Sequence, residues 1–203
     1  MHFNHIDYSH KYIQEILCII RLGIQKHYKL SKGKREGLNT QALVDALNMI
    51  GVTKCETLIG VQKEHERQSG RGKEDIYFYL NDDNYTRIFF AEAKKLPKHQ
   101  TQSEEEYVIG QSSTGSPSGG IQRYKLGIHG DRNLRNNGMF AYVEKKSVEE
   151  WFMIVNNKIS ETFPQDTLLD TTEYINEYMS THTYCDNEET FMMYHFWIDL
   201  TKK

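Results

Sequence analysis

The chain has 203 residues, 38% of them hydrophobic and 26% charged, with a formal net charge of −3, which is enough for one domain with a sizeable core and excludes a disordered chain. It carries no basic excess of the kind a non-specific nucleic-acid binder shows, so any phosphate-binding face must be local. No apolar run reaches bilayer length, the start Met1-His2-Phe3-Asn4-His5 lacks the order of a secretory signal, and Cys18, Cys55 and Cys185 are too widely spaced for a disulfide framework or a zinc-type pair, so no membrane partner and a cytoplasmic setting are expected.

In chain order, apolar residues from Tyr12 to Ile24 recur at helical steps, predicting a helix from Ser9, its cap, to about Tyr28. The basic run Lys29–Arg35 reads as a loop. A second helix is predicted over Asn39–Ile50, with Leu43, Val44 and Leu47 inward and Gly51 as its stop. Thr57–Gln62 gives a weak strand signal. Ile76–Leu80 and Arg87–Ala93 give stronger ones, and the turn chemistry of residues 81–84 joins them as a hairpin. Residues 97–120 are polar and rich in Gly and Ser, so a mobile surface loop is expected there. A short helix at Ile121–Leu126, a buried strand at Gly138–Val143, a helix at Val148–Ile159 and a last strand near Met193–Leu200 complete the order. One α/β domain over residues 1–203, with its core at about 35–160 and a mixed central sheet flanked by helices, satisfies it.

The chemistry concentrates in Glu74-Asp75 and Glu92-Ala93-Lys94. Residues two apart on a strand point to one face, so Glu92 and Lys94 project together. In a hairpin, Asp75 enters the first strand near where Glu92 and Lys94 leave the second. Two carboxylates brought together need a cation, and hard oxygen ligands with open water positions suit Mg²⁺ or Mn²⁺. Such a metal polarises a phosphate and activates water, while Lys94 orients the nucleophile or stabilises the developing charge.

This pattern resembles the PD-(D/E)xK phosphodiesterase superfamily, to which many type II restriction endonucleases and repair nucleases belong, with Glu74 in place of the leading Pro. The resemblance spans roughly residues 35–143. It implies a restriction-endonuclease-like fold, Mg²⁺-dependent endonuclease chemistry of a defence, restriction or repair type on double-stranded DNA, and an assembly that can be a homodimer. It further implies an upstream helical acid and a Gln on the helix after the second motif. Gln122 fills the latter position. Glu36 and Glu15 compete for the former, and Glu36, in step with Thr40, Leu43 and Leu47, is preferred; Asp75, Glu92 and Glu36 are then the expected metal ligands.

Each of these residues also has a plainer reading. ExK is common on solvated strands, Gln122 suits a surface helix, and Glu36 suits the positive end of a helix dipole. Two other readings of the whole chain stand beside the nuclease: a non-catalytic nucleic-acid-binding or scaffold protein of the same fold, and a protein-interaction module. Among the nine histidines, His2, His5, His10, His27, His65 and His99 are scattered, and His182 and His195 lack ligand spacing. Only His129, flanked by glycines, is placed to approach a ligand, although a turn His is the plainer reading. No phosphate-binding Gly-rich motif and no GxSxG elbow is present. The run Lys29, Lys32, Lys34, Arg35 and the group Arg67, Arg71, Lys73 are the best phosphate contacts outside the site.

Overall fold

The computed structural model describes residues 8–26, 29–66, 73–97 and 105–202. Two helices open the chain, α1 (Tyr8–Gln25) and α2 (Glu36–Ile50). Three antiparallel strands follow, β1 (Ile59–Glu66), β2 (Lys73–Leu80) and β3 (Arg87–Leu96). Next come α3 (Gly120–Lys125), β4 (Asn136–Val143) and α4 (Val148–Thr162), then β5 (Asp170–Thr171), β6 (Glu177–Thr183) and β7 (Thr190–Asp199). The strands form one mixed sheet of seven in the order β1-β2-β3-β4-β7-β6-β5, parallel at β3–β4 and β4–β7.

Alternation on the strands sorts the core into two layers. On one face Ile16, Ile19 and Ile20 of α1 and Leu43 and Leu47 of α2 pack on Ile76, Phe78, Phe89, Ala91, Phe140 and Phe196. On the other, Ile121 and Tyr124 of α3 and Trp151, Val155 and Ile159 of α4 cover Met139, Ala141, Met193 and Trp197. The central strand β4 is buried along its whole length, as a parallel strand covered on both faces should be. Because β7 pairs with β4 in the middle of the sheet, the core runs to the end of the described chain instead of closing near residue 160.

Several local expectations are corrected. Ser9 lies inside α1 rather than capping it. Gly51 does not stop α2: it stays right-handed, the chain continues through a π turn at Gly51–Cys55, and Glu56 takes the left-handed position at φ 48°. That turn brings Cys55 Sγ to 3.9 Å from Cys18 Sγ, so these two thiols are neighbours despite their distance in sequence. The described part of the 97–120 segment is not a free loop throughout. Tyr107 and Val108 are fully buried in the second core layer, and residues 111–117 form a small exposed hairpin. Residues 98–104 of that segment, His2, His5, His27, His99, Arg67 and Arg71 lie outside the described residues.

Strand β6 escapes hydrophobic patterning because, beside Tyr178, its inward face carries Ser180 and His182. Asp166 Oδ2 meets His182 Nδ1 at 2.7 Å, His182 Nε2 meets Ser180 Oγ at 2.7 Å, Ser180 Oγ meets His195 Nε2 at 2.7 Å, and His195 Nδ1 meets Tyr107 Oη at 2.8 Å. One direction of donation satisfies every member. Trp197 Nε1 donates to Tyr107, Tyr107 to His195, His195 Nε2–H to Ser180, Ser180 to His182, and His182 Nδ1–H to Asp166. Burial lowers the pKa of both histidines, so both are neutral, as this chain of bonds requires. Lys125 of α3 closes the far end, donating to both Asp166 oxygens and to Thr183 O.

Ser180→Ala removes the one group that links the two imidazoles and leaves an acceptor and a donor buried without partners. The variant should unfold with about 2–4 kcal/mol less stability in a denaturant titration. A change near zero would mean that the chain of donation is not as drawn.

Candidate functional site

The site forms where β2 and β3 part. Their ladder runs as far as Ile76↔Ala91, and from there β3 continues beside β4 alone while β2 stays with β1. The β3 N–H groups that face the opening must find other acceptors. Asp75 Oδ2 accepts from Ala93 N at 2.9 Å, and Glu36 Oε2 accepts from Lys95 N at 2.7 Å. Two carboxylates thus stand in for the missing strand. Glu36 is the first residue of α2, and the 29–35 loop before it is pinned by Gly33 N donating to Glu144 and by Lys95 bridging Glu144 and Lys34 O.

Glu92 and Lys94 project from the same stretch of β3 toward the α3 side of the sheet. Lys94 Nζ lies 2.8 Å from Glu92 Oε1, and both side chains are almost wholly buried. Arg123 of α3 approaches the same Oε1 at 3.6 Å, and His129 Nδ1 lies 2.9 Å from Oε2. The His129–Glu92 contact is close but out of line for a hydrogen bond. Glu92 Oε2, both ring nitrogens of His129, Arg123 Nε and the Asn137 amide are therefore all buried without an aligned partner among the described residues. Native interiors leave few such groups, and those of Arg123 and His129 adjoin the Glu92 carboxylate.

The turn after α3 delivers His129. Gly127 and Gly130 take φ of 64° and 71°, left-handed conformations that side chains avoid, and fold residues 128–129 back under Arg123 O. The Tyr124 ring then meets His129 edge-on at 5.7 Å.

Electrostatics separates the two carboxylates. Burial, with Glu92 and Glu36 nearby, raises the Asp75 pKa well above the usual range, only partly offset by the Ala93 N–H and Lys94. Burial also acts to raise Glu92, but Lys94 and His129 outweigh it and hold Glu92 ionised. Burial acts against the charge on Lys94, and Glu92 and Glu36 overcome it, so Lys94 stays an ammonium.

The structure therefore brings Asp75, Glu92, Lys94 and Glu36 into one cluster. Glu15 lies elsewhere, exposed and accepting from Thr57 Oγ1 at 2.8 Å. Gln122 has a structural task. Its Oε1 accepts from Gly110 N at 3.2 Å and Gly119 N at 3.4 Å, which caps α3 and ties down the preceding loop. Arg123 and Asn137 went unnoticed in the sequence, where an Arg beside the Gln and an Asn pair before an apolar strand carry no distinctive spacing. His129 was singled out only by its glycines.

Donor chemistry suits a hard divalent ion. Asp75 and Glu92 offer carboxylates, Glu92 Oε2 has no aligned hydrogen bond, and the pKa of Asp75 is raised first by burial and then by the neighbouring Glu92 charge, which a cation would offset. Mg²⁺ is often held by one or two carboxylates, waters and substrate phosphate. Among the described residues no three His, Cys, Asp or Glu side chains converge on a single point. The connected Asp166, His182 and Ser180 have the order of an acyl-transfer triad, but Ser180 is 3% exposed and its Oγ is also held by His195, so it is not offered to a substrate.

The raised Asp75 pKa and the lowered Glu92 pKa give opposite pH signatures. An acid raised on folding contributes stability below its unfolded pKa and loses it as pH rises through the folded value. Asp75→Asn, which keeps an acceptor for Ala93 N–H, should gain stability over wild type as pH rises from 4 to 8 in chelator. Glu92→Gln should lose about 3–5 kcal/mol at neutral pH by leaving Lys94 buried and unpaired, and the deficit should shrink as acid protonates wild-type Glu92. Parallel pH dependence of the two variants in thermal melts would contradict the split.

No protein-family model, no curated protein and no solved structure matches this chain.

Proposed function

We propose that this protein is a divalent-metal-dependent nuclease that hydrolyses phosphodiester bonds in DNA, with a fold of the restriction-endonuclease-like kind. The reading is carried by one observation: Asp75, Glu92, Lys94 and Glu36 meet at the opening between β2 and β3, within a sheet that helices flank on both faces.

In this reading Asp75 and Glu92 hold Mg²⁺ or Mn²⁺, with Glu36 as the accessory acid. The ion supplies Lewis acidity toward the phosphate and a more acidic bound water. Lys94 remains cationic, so it serves as a fixed positive charge for the developing negative charge on phosphate and not as a proton acceptor. Arg123, which is half-buried above Glu92, is the second cation able to meet a phosphate oxygen. Exposed Lys32, Lys34 and Arg35 lie in the basic loop that runs into Glu36, and Lys34 O accepts from Lys95 of β3.

A second reading is a nucleic-acid-binding protein of the same fold that does not cleave. It is favoured by the close pairing of Glu92 with Lys94 and His129, an ion cluster that could be complete as it stands.

Cleavage of circular and linear DNA with Mg²⁺ or Mn²⁺ separates the two. Lys94→Ala should retain DNA binding while cleavage falls by about 10²–10³. Asp75→Ala should lose metal affinity and cleavage together. Wild-type activity in both variants would sink the assignment, and binding with no cleavage by the unaltered protein would select the second reading. Gln122→Ala should behave differently, costing about 1 kcal/mol of stability through its lost bonds to Gly110 and Gly119 while leaving the chemical step nearly intact.

A further inference from the structure

A groove of about 560 Å³ lies on the same sheet face as Asp75 and Glu92 and runs away from them along β2 and β3. Its floor is aromatic. Tyr77 and Tyr79 follow Asp75 at two-residue steps on β2, and Phe90 precedes Glu92 by the same step on β3. The Tyr77 and Tyr79 rings are 5.9 Å apart and inclined at 47°, and those of Tyr79 and Tyr85 are 5.7 Å apart and inclined at 49°. These rings are too tilted to stack on one another. The Arg87 guanidinium sits 5.2 Å over Tyr77.

Two features shape this floor. Gly60 is the cross-strand partner of Tyr79, and a Cβ there would meet the outer end of the Tyr79 ring, so the ring lies across β1 in the space the glycine leaves. Tyr85 occupies the left-handed region at φ 48°, which a bulky residue rarely adopts, and its ring is 67% exposed. A strained backbone that keeps a large aromatic in solvent beside a groove fits a ligand clamp better than a core contact.

We propose that this groove is a subsite for an unpaired nucleobase, within a few nucleotides of the bond that is cut. The base lies between the inclined rings of Tyr79 and Tyr85, the amides of Gln62, whose oxygen accepts from Tyr77 Oη, and of Asn84 and the carboxylate of Asp131 meet its polar edge, and Arg87, over the Tyr77 ring, lies where the adjoining backbone passes. Every base has a flat π face, so such a platform binds unpaired strand and has nothing to grip on an intact duplex. Tyr79 lies about 13 Å along the strand from Asp75. The inference rests on the nuclease reading for its substrate and narrows it to DNA with an unpaired stretch or an extruded base at the site.

The test uses a short single-stranded oligonucleotide carrying 2-aminopurine, the blunt duplex of the same sequence, and chelator to prevent cleavage. The single strand should bind more tightly than the duplex, with quenching of the 2-aminopurine. Tyr79→Ala and Tyr85→Ala should each weaken single-strand binding about 5- to 150-fold and relieve the quenching, the range expected for a lost stacking partner. Tyr79→Phe should retain both, and Gly60→Val should behave like Tyr79→Ala. Tyr85, exposed on a turn, keeps the test open if Tyr79→Ala does not fold. Equal affinity for duplex and single strand, or binding indifferent to both alanine variants, overturns the subsite even if cleavage is observed. Tyrosine-dependent binding without cleavage at any metal concentration keeps the subsite and removes the nuclease.

Discussion

A strand that loses its neighbour on one side keeps its backbone N–H groups, and when the place is buried each of them needs an acceptor. On β3 this happens after Ala91, where β2 turns away with β1. The acceptors come from Asp75 and Glu36, one on β2 and one at the head of α2. Leaving these N–H groups bare would cost a few kcal/mol in total, and a carboxylate is a stronger acceptor than the carbonyl it replaces. Much else at the site follows from that substitution. It puts two acids in a dry opening, brings Glu92 and Lys94 alongside them, and calls for the basic loop of residues 29–35 to be tied down over Lys95 and Glu144.

Acids placed so close cannot all be ionised without help. The cations are unevenly shared: Lys94 and Arg123 attend Glu92, beside which His129 also lies, while the buried Asp75 has a backbone N–H and a more distant Lys94. Hence Glu92 is held as a carboxylate and Asp75 is pushed toward its protonated form. Pairs of titratable groups driven apart by their surroundings are a common sign of acid–base or metal chemistry. Ion clusters that serve only structure can do the same, but they seldom leave polar atoms such as the His129 nitrogens and the Asn137 amide buried and unaligned.

Much of this was legible in the sequence. The amphipathic helices, the β2–β3 hairpin and the buried run of β4 follow from apolar spacing, and Asp75, Glu92 and Lys94 follow from strand alternation combined with the hairpin. Glu36 could be preferred over Glu15 from its step with the inward residues of α2. What escaped were features whose partners are distant in the chain. Strand β6 hides its inward face behind Ser180 and His182, whose burial makes sense only once Asp166, His195 and Tyr107 are in place. Gln122 sits where the motif would put it, yet whether its oxygen faces a phosphate or the Gly110 and Gly119 N–H groups depends on the path of a loop that spacing does not determine. The tyrosine groove escaped for a similar reason, since exposed tyrosines on a strand look alike until Gly60 and the twist at Tyr85 reveal how they lie.

Helix α3 links the two polar systems of the molecule. Arg123 reaches toward Glu92 at the opening of the sheet, while Lys125, two residues on, is buried against Asp166 at the end of the histidine chain. A helix of six residues has too little apolar surface to hold its own position. Its orientation is therefore set by these end contacts, together with Ile121 and Tyr124 in the core beneath. A hydrogen-bonded chain with only one consistent direction of donation is stiff, because shifting any member strands its neighbours. Placing such a chain under α3 gives Arg123 and the His129 turn a fixed base, which is what a site needs if its cations are to meet charge at a set distance and not follow it.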